Sequence, residues 1–349
     1  MSKSLSVAVV GCGRMGGIHA LHLKERDDVE LVGVVDPDAA RGRGMGGVIF
    51  SSVEELLVRF PGLDAAVVAS PTALHSAHAR ALVEASVRVL LEKPLTDSLE
   101  QDASFSDWLS SHHPHATMLA FQRRFDAPLA RAWELLREGA IGRPFKFVSV
   151  LEDSRPMPAG YESPGLLQDM SIHNVDELLW LAGEAPVEVR AVGHRLFSQH
   201  DAAVEEDFDD ASMEFSFESG ALGQIFVSRN HVSGYRVETW IYGEGGVIHV
   251  GGFHQQQHEV VLEAYGPTES IEVRNFQLRD YGPGRPEFLD RFGDAYAQEL
   301  DHFISACRSG EPFSVGHREA SRASGVLRAA TEAIRTDRVV GLDPELFSD

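Results

Sequence analysis

A β-branched run, Val7-Ala8-Val9-Val10, passes directly into Gly11-Cys12-Gly13-Arg14-Met15-Gly16. Few sequence features restrict a fold so far. The run reads as a short strand buried on both faces, and residues 18–26 read as a helix. Strand, G-x-G-x-x-G turn and helix, in that order, open a doubly wound α/β domain that holds a dinucleotide. The first glycine permits a tight turn, the second lets backbone approach a pyrophosphate, and the third lets helix pack on strand. Amide N–H groups and the partial positive charge of the helix start then face the phosphates.

Asp36 ends a second strand, 30–35, twenty residues beyond Gly16. A carboxylate there accepts hydrogen bonds from both ribose hydroxyls and repels a 2′-phosphate, so NAD is expected rather than NADP. Arg41 and Arg43 in the next loop keep a phosphate clamp open, and the plainer reading of Asp36 is a turn-former before Pro37. Gly11, Gly13, Arg14, Met15, Gly16, Asp36 and Arg41 form the first part of the expected cofactor-binding set.

A length of 349 residues exceeds one ordinary core, so two domains are expected. These are a dinucleotide-binding Rossmann domain over 1–122 and an α+β domain for substrate binding and oligomerisation over 123–349. The formal charge of −22 is unbroken by a basic stripe, which argues against nucleic acid or an anionic membrane as partner. No apolar run has the length of a membrane span, and the N-terminus lacks a signal-peptide pattern. Cys12 and Cys307 make no metal-ligand spacing. A cytoplasmic protein without a metal is the expectation.

Strand and helix alternate through 64–69 (strand), 73–85 (helix), 87–91 (strand), 98–110 (helix capped by Ser98) and 116–121 (strand), with Ser51 or Ser52 capping a helix over 53–60. That regularity predicts a parallel doubly wound sheet, with ligands at the carboxyl ends of its strands. Beyond Gln122 the pattern changes. A helix over 126–138 capped by Asp126, a strand over 144–151, a loop with Pro156, Pro158 and Pro164, and a helix over 167–181 precede a strand-rich stretch, 187–274. Met213, Phe215 and Phe217 alternate with Ser212, Glu214 and Ser216, and Gly243-Glu244-Gly245-Gly246 marks a hairpin. A large, mostly antiparallel open sheet results. Its uncovered face predicts a homodimer or homotetramer. Helices over 287–308 and 317–335 close the chain, with Phe288, Phe292, Phe303 and Ile304 as core.

Two segments carry chemistry suited to a nicotinamide. Glu92-Lys93-Pro94 stands at a strand's carboxyl end, and Lys93 is one of only four lysines. An amine can give and take a proton where arginine cannot; the bland reading is a surface pair with Glu92. In Gln168-Asp169-Met170-Ser171-Ile172-His173-Asn174-Val175-Asp176, Asp169 and His173 are four apart, on one face of a helix. The imidazole suits proton transfer near neutral pH and a carboxylate would orient it; the bland reading is an ordinary surface pair. Asp176 reads as structural.

Together the glycine turn, Glu92-Lys93-Pro94 and Asp169-x-x-x-His173 resemble the signature of the Gfo/Idh/MocA oxidoreductases. Phe121-Gln122-Arg123-Arg124-Phe125-Asp126, 169–183, Asn230-His231-Val232-Ser233-Gly234-Tyr235 and 291–300 look most like the inositol 2-dehydrogenase group. The resemblance implies catalysis by Lys93, Asp169 and His173, cofactor contacts from Ser70, Pro71, Thr72, His75 and Glu92, and a substrate hydrogen bond from Tyr235. Lys93 and Gln122 complete the cofactor set; Lys93, Arg124, Asp169, His173 and Tyr235 make the substrate set. The strand stretch 147–151 and the loop after it, Glu152-Asp153-Ser154-Arg155-Pro156, depart from the pattern, lacking the His and Asn expected beside a myo-inositol ring.

The expected reaction is oxidation of a secondary hydroxyl of a cyclic polyol or sugar to a ketone, with NAD and with activity rising with pH. His173 takes the hydroxyl proton, Lys93 holds that oxygen and Asp169 positions the pair. An aldose or keto-sugar oxidoreductase using NAD(P), a non-catalytic NAD-binding sensor and an NAD-using glycosidase are the alternatives. His112, His113 and His115 lack a spacing that closes a metal site. Glu205-Glu206-Asp207 with Asp209-Asp210 reads as a solvated lead-in to a strand, and His249, His254 and His258 as facing water.

Overall fold

The computed structural model describes residues 4–154, 165–195, 207–252, 258–282 and 284–348. They form two compact units: Met1–Phe121 with Tyr296–Ser321, and Gln122–Ala295 with Arg322–Asp349. The segment Tyr296–Ser321, which chain order alone places with the second domain, therefore packs within the first unit.

The first unit is a six-stranded parallel sheet: β1 (Leu5–Val10), β2 (Val29–Val35), β3 (Val48–Phe50), β4 (Ala65–Val68), β5 (Arg88–Leu91) and β6 (Thr117–Leu119), in the spatial order β3-β2-β1-β4-β5-β6. This is the doubly wound Rossmann order, whose switch point lies between β1 and β4. Val7, Ala8 and Val9 in β1 and all four residues of β4 are fully buried, as strands covered on both faces must be. Val7 pairs with Ala65 and Val10 with Val68, which aligns the carboxyl ends of β1 and β4. Ser52 and Ser98 each cap the following helix through the side-chain oxygen. Edge strand β6 is covered by a bridge from Met118 to Gly316. Within the closing segment, Phe303 and Ile304 are fully buried.

The second unit contains nine strands: β7 (Pro144–Ser154), β8 (Pro186–His194), β9 (Asp210–Phe217), β10 (Leu222–His231), β11 (Arg236–Gly243), β12 (Gly246–Gly251), β13 (Glu259–Tyr265), β14 (Ser270–Gln277) and β15 (Val340–Gly341). Their order is β14-β13-β12-β11-β7-β10-β9-β8-β15. Every neighbouring pair is antiparallel except β7 with β10. Met213, Phe215 and Phe217 point into the core, as their alternation requires. Helices Ala127–Arg137 and Ile172–Ala182 pack on that same face. Asp126 occupies the N-cap of the first of these but does not cap it with its side chain. Its carboxylate instead takes both Nη atoms of Arg291, at 2.6 and 2.8 Å, because Pro128 offers no N–H to cap and a buried guanidinium binds a carboxylate through two charge-assisted bonds.

Candidate active site

In the first unit the residues expected to face the cofactor gather at the carboxyl ends of β1, β2, β4 and β5. A Cβ on Gly11 would stand 2.4 Å from the Ala69 carbonyl oxygen, and one on Gly16 only 1.9 Å from that of Gly11. Gly11 also has φ +96°, a conformation that favours glycine. Gly13 differs: nothing lies within 4 Å of the same construction. Two glycines thus serve the fold and the middle one leaves open space before the helix Arg14–Lys24, where a pyrophosphate fits. Arg14 is exposed and Met15 half-buried beside it.

Asp36 is 7% exposed. Its Oδ2 accepts from the Cys12 amide at 3.0 Å and its Oδ1 from the Asp38 amide at 2.9 Å. The carboxylate is therefore both the turn-former and an anion fixed against the glycine loop, where ribose hydroxyls meet it in this fold. Arg41 is exposed, 3.9 Å from Asp38. These residues fit NAD.

Ser70 and Pro71 follow β4, and a single 3₁₀ turn, Thr72–Leu74, leads into the helix His75–Glu84. His75 is 1% exposed, with Nδ1 2.8 Å from the Pro94 carbonyl and Nε2 2.9 Å from that of Ser70. It therefore ties the loop after β4 to the one after β5 and lowers its own pKa by burial. Glu92 is buried and bonds His19 Nε2 at 2.8 Å. Lys93 is half-buried, and its peptide bond to Pro94 is cis.

In the second unit, Asp169 and His173 do not share a regular α-helix. Leu167–Ser171 is a π-helical turn that passes into the α-helix Ile172–Ala182 at the residue before His173. The π turn shifts the angular offset between them. Both side chains are half-buried. Ile172 and Val175 are in the core, which anchors the start of this helix. Asp176 clamps Arg124, with Nε to Oδ2 at 2.9 Å and Nη2 to Oδ1 at 2.6 Å. That pairing occupies the fork of Arg124. Gln122 is buried. Tyr235 has its phenol pushed above the usual range by burial, opposed by the neighbouring Arg123 and Arg291. Arg155 and Pro156, the prolines at 158 and 164, His254, Glu205 and Glu206 lie outside the described residues.

Sequence reasoning missed the polar network under this helix. Glu177 is fully buried and accepts from Arg123 Nη1 at 2.7 Å, Ser149 Oγ at 2.9 Å and Thr239 Oγ1 at 2.6 Å. Asn174 Nδ2 donates to Ser149 at 2.8 Å. The partners are 28 to 62 residues away, so no local spacing announces them. The one available signal was a Glu among apolar neighbours in Asp176-Glu177-Leu178-Leu179.

Two further expectations are corrected. His249 does not face water: it is 8% exposed, stacks on Trp240 at 3.8 Å and lies between Glu238 and Glu263. Glu238 is held down to about 2, first by its hydrogen bond to His249 and then by Arg236 and Trp240. The acidic lead-in is not merely solvated either. Asp207 accepts from Arg229 Nη1 at 2.5 Å and from the Leu166 amide at 2.7 Å, and Asp209 is 1% exposed. A basic strand neighbour and an open helix end supply better partners than water.

Comparison with known proteins agrees with this architecture. Residues 5–116 match the family described as oxidoreductase family, NAD-binding Rossmann fold, and residues 129–249 match the GFO/IDH/MocA C-terminal domain. The chain is 30% identical to scyllo-inositol 2-dehydrogenase (NAD(+)) of Bacillus subtilis, with 98% of each chain covered. It is 31% identical to myo-inositol 2-dehydrogenase of Thermotoga maritima, over 97% of this chain and 99% of that one. A crystal structure of a myo-inositol dehydrogenase from Corynebacterium glutamicum, 26% identical, superposes with a TM-score of 0.83 and covers 98% of this chain and 99% of that chain. With its glycine turn, its Asp36 and both family domains in place, the chain belongs to the GFO/IDH/MocA oxidoreductases, and its cofactor is NAD.

Proposed function

We propose that this NAD-dependent dehydrogenase oxidises a secondary hydroxyl of an inositol-like cyclic polyol to the ketone. One observation carries the reading: two relatives alike over nearly the whole chain, at 30% and 31% identity, are both inositol 2-dehydrogenases. The first unit is the cofactor domain and the second the substrate domain. Bound NAD supplies the hydride acceptor. Asp36 holds the ribose, and the open face at Gly13 admits the pyrophosphate. The imidazole of His173 takes the proton of the reacting hydroxyl, Asp169 orients that imidazole, and Lys93 Nζ donates to the same oxygen. Tyr235 contacts the remaining polyol hydroxyls, and Arg124, whose Nε and Nη2 are held by Asp176, has only Nη1 to offer them. The half-buried state of Lys93, Asp169 and His173 supports these roles, since each keeps access to a ligand while its backbone is anchored in a core.

No helix among the described residues is long and apolar enough to cross a membrane. The reading places the enzyme in the cytoplasm as a homodimer or homotetramer. Self-association is supported by the sheet face opposite the helices, where Val192, Phe226 and Val273 are 45%, 43% and 54% exposed.

The test is a substrate panel of inositols and aldoses with NAD and NADP, read as reduced cofactor released. Turnover of an inositol with NAD is expected. Preference for an aldose, or for NADP, would replace the reading with a sugar oxidoreductase; NAD binding without turnover on any polyol would make the protein a sensor.

A further inference from the structure

A buried carboxyl group in the first unit has no part in the chemistry above. Glu299, on the helix Glu287–Ser309, is fully buried, and neither carboxyl oxygen has a hydrogen-bond partner among the described residues. A charged carboxylate so placed is strongly disfavoured. Its neighbourhood makes matters worse, because Glu92 stands close enough to act on it as a negative charge. Burial first, and Glu92 second, raise its pKa well above the ordinary carboxylate range.

Glu92 has supports that Glu299 lacks. His19 of the helix Arg14–Lys24 bonds its Oε1 at 2.8 Å, and the ring of His19 meets Tyr296 edge-on at 6.3 Å. His75, from the helix His75–Glu84, feels Glu92 electrostatically and holds the Pro94 carbonyl. One peptide bond separates Glu92 from Lys93. Two acids, two imidazoles and the lysine turn thus form one packed assembly, with room for one negative charge.

We propose that Glu299 is a positioning residue for Lys93: it stands beside Glu92 as a neutral carboxylic acid, and on losing its proton it drives Glu92 and the adjoining Lys93 turn out of place, which sets the alkaline limit of turnover. The proposal rests on the role given to Lys93 above. Until the proton leaves, Glu92 alone carries the charge that His19 and His75 face. Afterwards two neighbouring anions repel inside a medium that screens poorly.

The full-length protein labelled with [5-13C]glutamate and [ε-13C]lysine tests this by NMR. At pH 8 one protonated glutamate carboxyl is expected, missing in Glu299→Gln. The Lys93 signal, one of four lysine signals and assigned with Lys93→Met, is expected to respond to alkaline pH differently in wild type and Glu299→Gln. The alkaline fall in kcat should move up by at least about one pH unit in Glu299→Gln, which cannot ionise. No protonated carboxyl at pH 8 overturns the proposal, and so do identical Lys93 titrations. Should Glu299→Gln not fold, the wild-type carboxyl must lose its proton over the interval in which the Lys93 signal changes; separate intervals overturn it. If no polyol is oxidised, the proposed function fails while both NMR signals still decide the role of Glu299.

Discussion

Lys93 carries the heaviest assignment of any single residue, and it is separable from cofactor binding. In a chain with four lysines, the one at the carboxyl end of a parallel strand has a position that composition does not explain. Lys93→Met keeps the bulk of the stem and removes the amine. Turnover should fall by about 10²–10⁴-fold while the NAD dissociation constant, read by fluorescence titration, stays nearly constant. A loss of NAD affinity in proportion would make Lys93 a binding residue instead. Arg123 poses the opposite case, a buried cation whose service is to the fold. Arg123→Met leaves the buried Glu177 carboxyl with only Ser149 and Thr239 as donors. A destabilisation of about 3 kcal/mol in urea is expected, much of it recovered in Arg123→Met/Glu177→Leu. Lys93, Asp169 and His173 could be picked out in the sequence because each sits in a short motif. Arg123 could not be told from Arg124, because which arginine turns inward depends on Glu177 and Asp176, more than fifty residues downstream.

Elements show the same division between local and distant causes. The strand, turn and helix at Leu5–Val10 and Arg14–Lys24 follow from adjacent residues, and so do the caps at Ser52 and Ser98. Strand β3 was missed because three residues after a glycine-rich turn show no periodicity, and it exists only by pairing with β2. The π turn at Leu167–Ser171 has no signature in the sequence and alters the face on which Asp169 sits. The glycine loop lends itself to a paired prediction. Gly13→Ala adds a methyl to open space, so thermal stability should hold while NAD affinity drops by about tenfold or more, as the methyl meets the phosphates. Gly16→Ala puts a methyl 1.9 Å from the Gly11 carbonyl, and it should lower the melting temperature as well. Calorimetry with and without NAD separates the two. Equal thermal losses would mean that Gly13 serves packing and not the ligand.

For the whole molecule, pH and assembly are the properties to argue. Burial, with Arg318, pushes His317 down to about 4, so the folded protein keeps its imidazole neutral where the unfolded chain takes a proton. The unfolded state then binds more protons, and stability falls as pH drops from about 6.5 toward 4. Glu238, held near 2 by His249, Arg236 and Trp240, adds a second loss below its ordinary value of 4.5. Its stabilisation is present above about 4.5 and gone by about 2. Denaturant midpoints should therefore decline in two stages, and His317→Gln should reduce the first, to which buried His75 also contributes, while leaving the second unchanged. Assembly follows from register. Val192 pairs with Ser212, Ser212 with Phe226 and Phe226 with Val150, so the exposed valine and phenylalanine lie in one row across the sheet. His249, Glu263 and Val273 continue the next row on that face. Helices cover the other side, so this face meets either water or another subunit. Val192→Lys/Phe226→Lys puts two like charges into the row at positions already partly solvated, where the folded monomer bears them at little cost. Light scattering should report an oligomer for the parent and smaller species for the variant, with NAD affinity per chain unchanged. An oligomer that survives both lysines would move the interface off this sheet face.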